Sequence, residues 1–296
     1  MGSAATAVLG LLLLAACDRS FTQQCAPGCN CDERVAVCRG LTTLPQAAEF
    51  PTVIEMFEFI DCNFGVLPPL PYVNATTVMI INSQVDDVVD HAFSNLTALQ
   101  HLEINNNPLH DIRPAMFDGL VNLIELSLQN SSLTSFPSGI LSSLPSLDLL
   151  DVSHNAELLF ADDAFDSATV KTLILNHCAL VEAPPLTHAN PMSVTRLEMT
   201  GNNLAMLGDA SFVQYSNLNR LHLEASQIQS IHVNAFQGLH QLMYLNLDKN
   251  NISHLADDIF KANTEIVRLH LKQNNLQTLE VSLLSLVFRT FLYLFV

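Results

Sequence analysis

A chain of 296 residues with 29 acidic against 12 basic side chains carries a formal charge of −17 at neutral pH. Such a surface repels the phosphates of nucleic acid and of anionic lipid, which excludes both as general partners. About half of the chain is apolar, only 14% is charged and tryptophan is absent, a composition suited to many small aliphatic layers.

Residues 1–17, MGSAATAVLGLLLLAAC, hold a short apolar run from Val8 to Leu14, followed by Ala15 and Ala16. This predicts a secretory signal peptide cleaved between Ala16 and Ser20, although no Lys or Arg precedes the run. MGSAAT also fits a myristoylation pattern, and LAAC a bacterial lipoprotein box at Cys17. The export run directly behind the glycine argues against the first, and the animal style of the remaining chain against the second.

Four of the seven cysteines follow closely in CAPGCNCDERVAVC, as Cys25, Cys29, Cys31 and Cys38. Crowded behind an export signal, they predict two disulfides rather than a zinc site. Spacing alone leaves three pairings open.

From residue 54 onward one frame recurs: apolar-x-x-apolar-x-apolar-x-x, closed by Asn, Ser or Cys. It starts at residues 54, 75, 99, 123, 147, 170, 194, 218, 242 and 266, and all but two of the nine intervals are 24 residues. Alternation at positions 4 to 6 predicts a short strand in every unit. At position 9 the chain turns inward and leaves backbone groups without a ladder partner. An Asn side chain can donate and accept there, and Ser or Cys is small enough to fit. Cys62 and Cys178 therefore read as buried ladder residues of the first and sixth units. At a strand spacing of ~4.8 Å they stand roughly 24 Å apart, too far for a disulfide.

The second half of most units carries a phenylalanine: Phe93, Phe117, Phe165, Phe212, Phe236 and Phe260. These predict an aromatic spine opposite the strands, with Leu141 substituting in the fourth unit. The sixth is shortened by APPLTHANP. In the fifth, Glu157 holds an apolar slot and Leu158 is shifted by one, so local irregularity is expected in both.

The frames resemble the leucine-rich repeat signature L-x-x-L-x-L-x-x-N/C-x-L over residues 25 to about 280. The spacing C-x3-C-x-C-x6-C followed by L-x-x-L-P resembles the N-terminal cysteine cap of extracellular members, such as Toll-like receptor, Slit-type and adhesion ectodomains. The resemblance implies an α/β leucine-rich repeat solenoid, a curved horseshoe with a parallel β-sheet on its concave face. Loops, 3-10 turns or short helical turns would line the convex face. The disulfide cap would occupy residues 25–53 and ten repeats residues 54–280. It also implies a secreted protein, or one on the extracellular face of the plasma membrane, recognising a protein or glycan ligand on the concave face. A structural extracellular-matrix component and a non-catalytic subunit of a secreted complex are the alternatives.

No cysteine follows Cys178, so the family's usual C-terminal cysteine cap has no counterpart. Residues 281–296 are apolar, with Arg289 inside them. They read as an eleventh repeat cut short; a membrane-associating tail and an apolar cap are the other readings. Membrane attachment would come only through such a C-terminal anchor or a lost one.

Sequons place candidate glycans at Asn74, Asn95, Asn130 and Asn251, all at repeat edges or connecting loops. Positions 3, 5 and 7 of each frame should line the concave face. Its N-terminal end would offer Met56, Ile60, Met79 and Ile81 beside acids. Its C-terminal end would gather Arg196, Arg220, Tyr244, Arg268, His222 and His270, residue types suited to anchoring a ligand. The competing reading pairs the arginines internally with Glu198 and Glu224.

No H-E-x-x-H, G-x-S-x-G, phosphate loop or dinucleotide fingerprint occurs. Asp151, Ser153 and His154 occupy ordinary variable slots of one repeat, and His154 with His177 lacks a third ligand. No enzymatic activity, cofactor or metal site is expected.

Overall fold

The computed structural model describes residues 25–72, 74–166, 169–184, 194–277 and the backbone of 293–295. Position 3 to position 5 of every frame forms a strand: Met56–Ile60, Thr77–Ile81, His101–Glu103, Glu125–Ser127, Leu149–Asp151, Thr172–Ile174, Arg196–Glu198, Arg220–His222, Tyr244–Asn246 and Arg268–His270. The strands pair in parallel, and each frame position meets the same position of the next repeat. The pleat sends position 4 inward, where Leu102, Leu126, Leu150, Leu173, Leu197, Leu221 and Leu245 are fully buried. Each such leucine contributes about 1.5–3 kcal/mol relative to an exposed one.

At the N-terminal end, strands Cys29–Asp32 and Val35–Arg39 form an antiparallel hairpin, and the second joins Met56–Ile60 in parallel. The hairpin closes the open edge of the sheet, and the frame pattern did not predict its strands. Disulfides Cys25–Cys31 and Cys29–Cys38 decide among the three pairings. At the other end the backbone of Tyr293–Phe295 pairs in parallel with Arg268–His270. The rest of the apolar tail, like the predicted signal peptide, lies outside the described residues.

Position 9 forms a buried column in which asparagine largely alternates with smaller residues. Each Asn oxygen accepts from the repeat before it: Ser83 N donates to Asn107 Oδ1 at 2.9 Å, Ser131 N to Asn155 Oδ1 at 3.0 Å and Cys178 N to Asn202 Oδ1 at 3.0 Å. The small residue needs only to fill its own corner. Cys178 donates its thiol to Val152 O at 3.3 Å, and Ser226 its hydroxyl to Met199 O at 2.9 Å. Cys62 and Cys178 are free and buried, and burial pushes the Cys178 thiol up to about 11.

Position 8 was not legible as a constraint. In all ten repeats it is left-handed, with φ between 48° and 74°: Asp61, Asn82, Asn106, Asn130, His154, His177, Gly201, Ala225, Lys249 and Gln273. The inward turn that delivers position 9 requires this conformation. Asp, Asn and Gly adopt it most readily, which explains their presence in the column and makes His154, His177, Ala225, Lys249 and Gln273 exceptions.

On the convex side, 3-10 turns at Ala47–Glu49, Pro114–Phe117 and Leu141–Ser143 accompany short two-stranded ladders. No α-helix occurs among the described residues. Phe93 stacks on Phe117 at 6.4 Å, Phe212 on Phe236 at 6.3 Å and Phe236 on Phe260 at 5.5 Å. Where Leu141 replaces the spine phenylalanine, Phe165 stacks on Phe136 instead, at 5.9 Å. The shifted fifth repeat buries Leu158 and leaves Leu159 74% exposed. Residues 185–193 of the shortened sixth repeat lie outside the described ones.

Candidate functional site

Strand register builds the surface. Arg196, Arg220, Tyr244 and Arg268 stand side by side at position 3, and Glu198, His222, Asn246 and His270 at position 5. The six residues singled out at this end thus fall on four consecutive strands. Tyr244 lies between two imidazoles, its ring centroid 4.7 Å from His222 and 5.1 Å from His270. Burial lowers the proton affinity of His222 and raises the pKa of the Tyr244 hydroxyl.

Internal pairing accounts for part of the charge. Arg196 Nε donates to Glu198 Oε1 at 2.7 Å. Glu224 does not pair with Arg220; it receives Lys249 Nζ at 2.7 Å and Asn246 Nδ2 at 3.2 Å. Lys249 reaches it from the left-handed turn of the next repeat. His270 Nδ1 sits 3.6 Å from Asp248. Arg34, Arg39 and Arg113 also have carboxylate partners within 4 Å. Among the described residues, Arg220 and Arg268 are the arginines without an ion pair, and both side chains are exposed.

The N-terminal half has the opposite character. Burial raises the carboxyl pKa values of Glu58, Glu103 and Asp151, and the charges of Glu125 and Asp151 raise Glu103 further. Met56, Ile60, Met79 and Ile81 are half-buried beside them.

Asp151, Ser153 and His154 do not form a nucleophilic triad. Ser153 is buried, its N–H donates to Asp151 Oδ1 at 2.9 Å, and its hydroxyl oxygen accepts the Asn176 N–H at 3.1 Å. His154 stacks on His177, centroids 4.7 Å apart. No group of three metal-binding side chains occurs among the described residues. Asn74, Asn95, Asn130 and Asn251 are all exposed, and Asn130 Nδ2 donates to Asn106 Oδ1 at 2.9 Å. The frame pattern gave no warning that repeats five, six and seven each turn a large apolar side chain outward: Leu159, Val181 and Met206 are 74%, 70% and 66% exposed.

A disulfide-capped parallel solenoid with a solvent-facing concave sheet defines the class: an extracellular repeat protein. The Leucine rich repeat family profile matches residues 74–130, 99–156, 192–252 and 240–295, more than half of the chain, which therefore belongs to the leucine-rich repeat family. The chain is similar to trophoblast glycoprotein of Macaca fascicularis, 26% identical over 245 residues that cover 76% of this chain and 54% of that protein. It is 27% identical to lumican of Homo sapiens, over 75% of this chain and 59% of lumican. To tsukushi of Mus musculus it is 26% identical, over 81% of this chain and 66% of tsukushi. The chain thus spans about half to two thirds of the length of these relatives. Among solved structures, the crystal structure of the mouse RP105/MD-1 complex contains a chain of the same fold. Its TM-score is 0.69 at 18% identity, over 87% of this chain and 45% of that one. Like these relatives, the protein is secreted or lies on the extracellular face of the plasma membrane.

Proposed function

We propose that the protein is a non-enzymatic recognition module that presents the concave sheet to a protein ligand through its C-terminal half. The observation that carries this reading is the alignment of Arg220, Tyr244 and Arg268 in one register row, with Tyr244 flanked by His222 and His270. A rigid aromatic group between two unpaired guanidinium groups combines the residue types that dominate binding energy at interfaces. The similarly folded chain of the mouse RP105/MD-1 structure belongs to a protein complex, in line with a protein ligand.

The test is capture on intact animal cells and on matrix extract by the secreted full chain, beside an Arg220→Glu, Arg268→Glu variant with the same melting transition. Arg196 is left intact because its pairing with Glu198 is internal. Loss of a captured partner in the variant supports the reading. Unchanged capture contradicts it and moves attention to the acidic half.

A further inference from the structure

Building on concave recognition, we infer that the ligand engages this face through a short acidic protein segment, two of whose carboxylates are taken by Arg220 and Arg268 on either side of the Tyr244 ring. Acids outnumber bases 29 to 12 in this chain, so an arginine near any carboxylate should be neutralised from within. Arg34, Arg39, Arg113 and Arg196 follow that expectation. Arg220 and Arg268 do not, and both stand in the same row of one sheet, separated only by Tyr244. Their guanidinium forks keep the donors that would grip a carboxylate bidentately.

Spacing defines the complementary segment. Two strand steps of ~4.8 Å put the two arginine backbones about 10 Å apart, and an extended chain rises about 3.4 Å per residue. Carboxylates at i and i+2, or at i and i+3, of an extended segment match that span once the side chains adjust. Between them the segment would rest on Tyr244, whose ring is held in place by contacts with His222 and His270.

The surroundings limit how long the anion can be. Glu198 lies one row from Arg220 on the adjacent strand, Glu224 and Asp248 lie at position 7 of the Arg220 and Tyr244 repeats, and Asp151, Glu125 and Glu103 follow toward the N-terminal end. A long sulfated polysaccharide running along the sheet would leave the two arginines and enter this acidic field. A short segment on a protein avoids it, so charge complementarity favours the peptide over the polyanion.

The experiment measures fluorescence anisotropy at low salt, with the full chain titrated against a labelled peptide in which Asp alternates with Gly. The same peptide with Asn for Asp and a sulfated oligosaccharide serve as comparison probes. The Asp peptide is expected to bind, the Asn peptide not. Arg220→Gln and Arg268→Gln should each weaken binding about tenfold. Arg220→Lys, which keeps charge and stem but loses the fork, should fall between. Equal binding of the Asn peptide, or full affinity in the double Gln variant at an unchanged melting transition, overturns the proposal. Tighter arginine-dependent binding of the oligosaccharide also overturns the acidic-segment assignment, while concave recognition survives. If cell-surface capture requires the two arginines but the Asp peptide fails to bind, the segment chemistry alone is wrong. If capture ignores the arginines, concave recognition falls with it.

Discussion

Ser226 gives its backbone N–H to the side-chain oxygen of Asn250, one repeat further on, at 3.0 Å, and the same oxygen accepts the Ile228 N–H at 2.9 Å. The Asn250 amide in turn donates to Leu223 O at 2.8 Å and Leu247 O at 3.0 Å. One side chain thus satisfies four buried backbone groups across two repeats. Asn250→Ala should destabilise the solenoid by about 1–3 kcal/mol for each group left without a partner. Asn250→Ser, matching the residue already used at position 83, should lose less. Urea unfolding of the two variants checks the order, and an equal effect would contradict the ladder account.

The unpaired Cys62 and Cys178 should be chemically silent in the folded protein. Cys62 and Cys178 are both 2% exposed, and burial holds the Cys178 thiol at about 11, far from the thiolate at neutral pH. Maleimide treatment of the native chain followed by peptide mass analysis should find both thiols unlabelled, and both labelled after denaturation without reductant.

Position 8 offers a stabilising change that touches no core contact. Ala225 holds φ 54°, a conformation disfavoured for a side chain with Cβ by about 1–2 kcal/mol. Ala225→Asn should raise the unfolding free energy by about 0.5–1 kcal/mol, the part of that strain which Asn relieves. A thermal melt of the single variant suffices, and no gain would mean that the turn is not under strain.

Glu103 should make the concave face weaker as pH rises. Burial and the charges of Glu125 and Asp151 raise its pKa in the folded state, so folding favours the protonated form. Its neutral form costs nothing at pH values below the ordinary carboxylate range. The penalty grows as pH rises from the ordinary carboxylate pKa toward the raised folded-state value, and then stays constant. Glu103→Gln should therefore be more stable than the parent at neutral pH and indistinguishable from it in acid, which melting curves across that range would show.

The frame, the strand positions and the phenylalanine spine were legible because each rests on a repeated side-chain pattern. Ten copies of one frame leave little freedom in where Leu102 or Leu245 must point. Ser83, Asn107 and Cys178 could be placed in the ladder for the same reason. The left-handed φ at position 8 was hidden because Lys249, His154 and Ala225 adopt it under compulsion from the turn, not by preference. Side-chain pairing was only half legible. Arg196 and Glu198 share a strand, whereas Glu224 meets Lys249 across repeats through a turn that the frame does not describe. The row Arg220–Tyr244–Arg268 follows from register alone; its lack of internal carboxylates required the packed structure.

The most direct test of the central claim places a photocrosslinking residue at Tyr244, and in a second chain at the exposed Leu159, before capture from animal cells. Crosslinking of the partner from position 244 and not from 159 is the expected result. Crosslinking from 159 alone would contradict concave recognition and assign binding to the surface around Leu159.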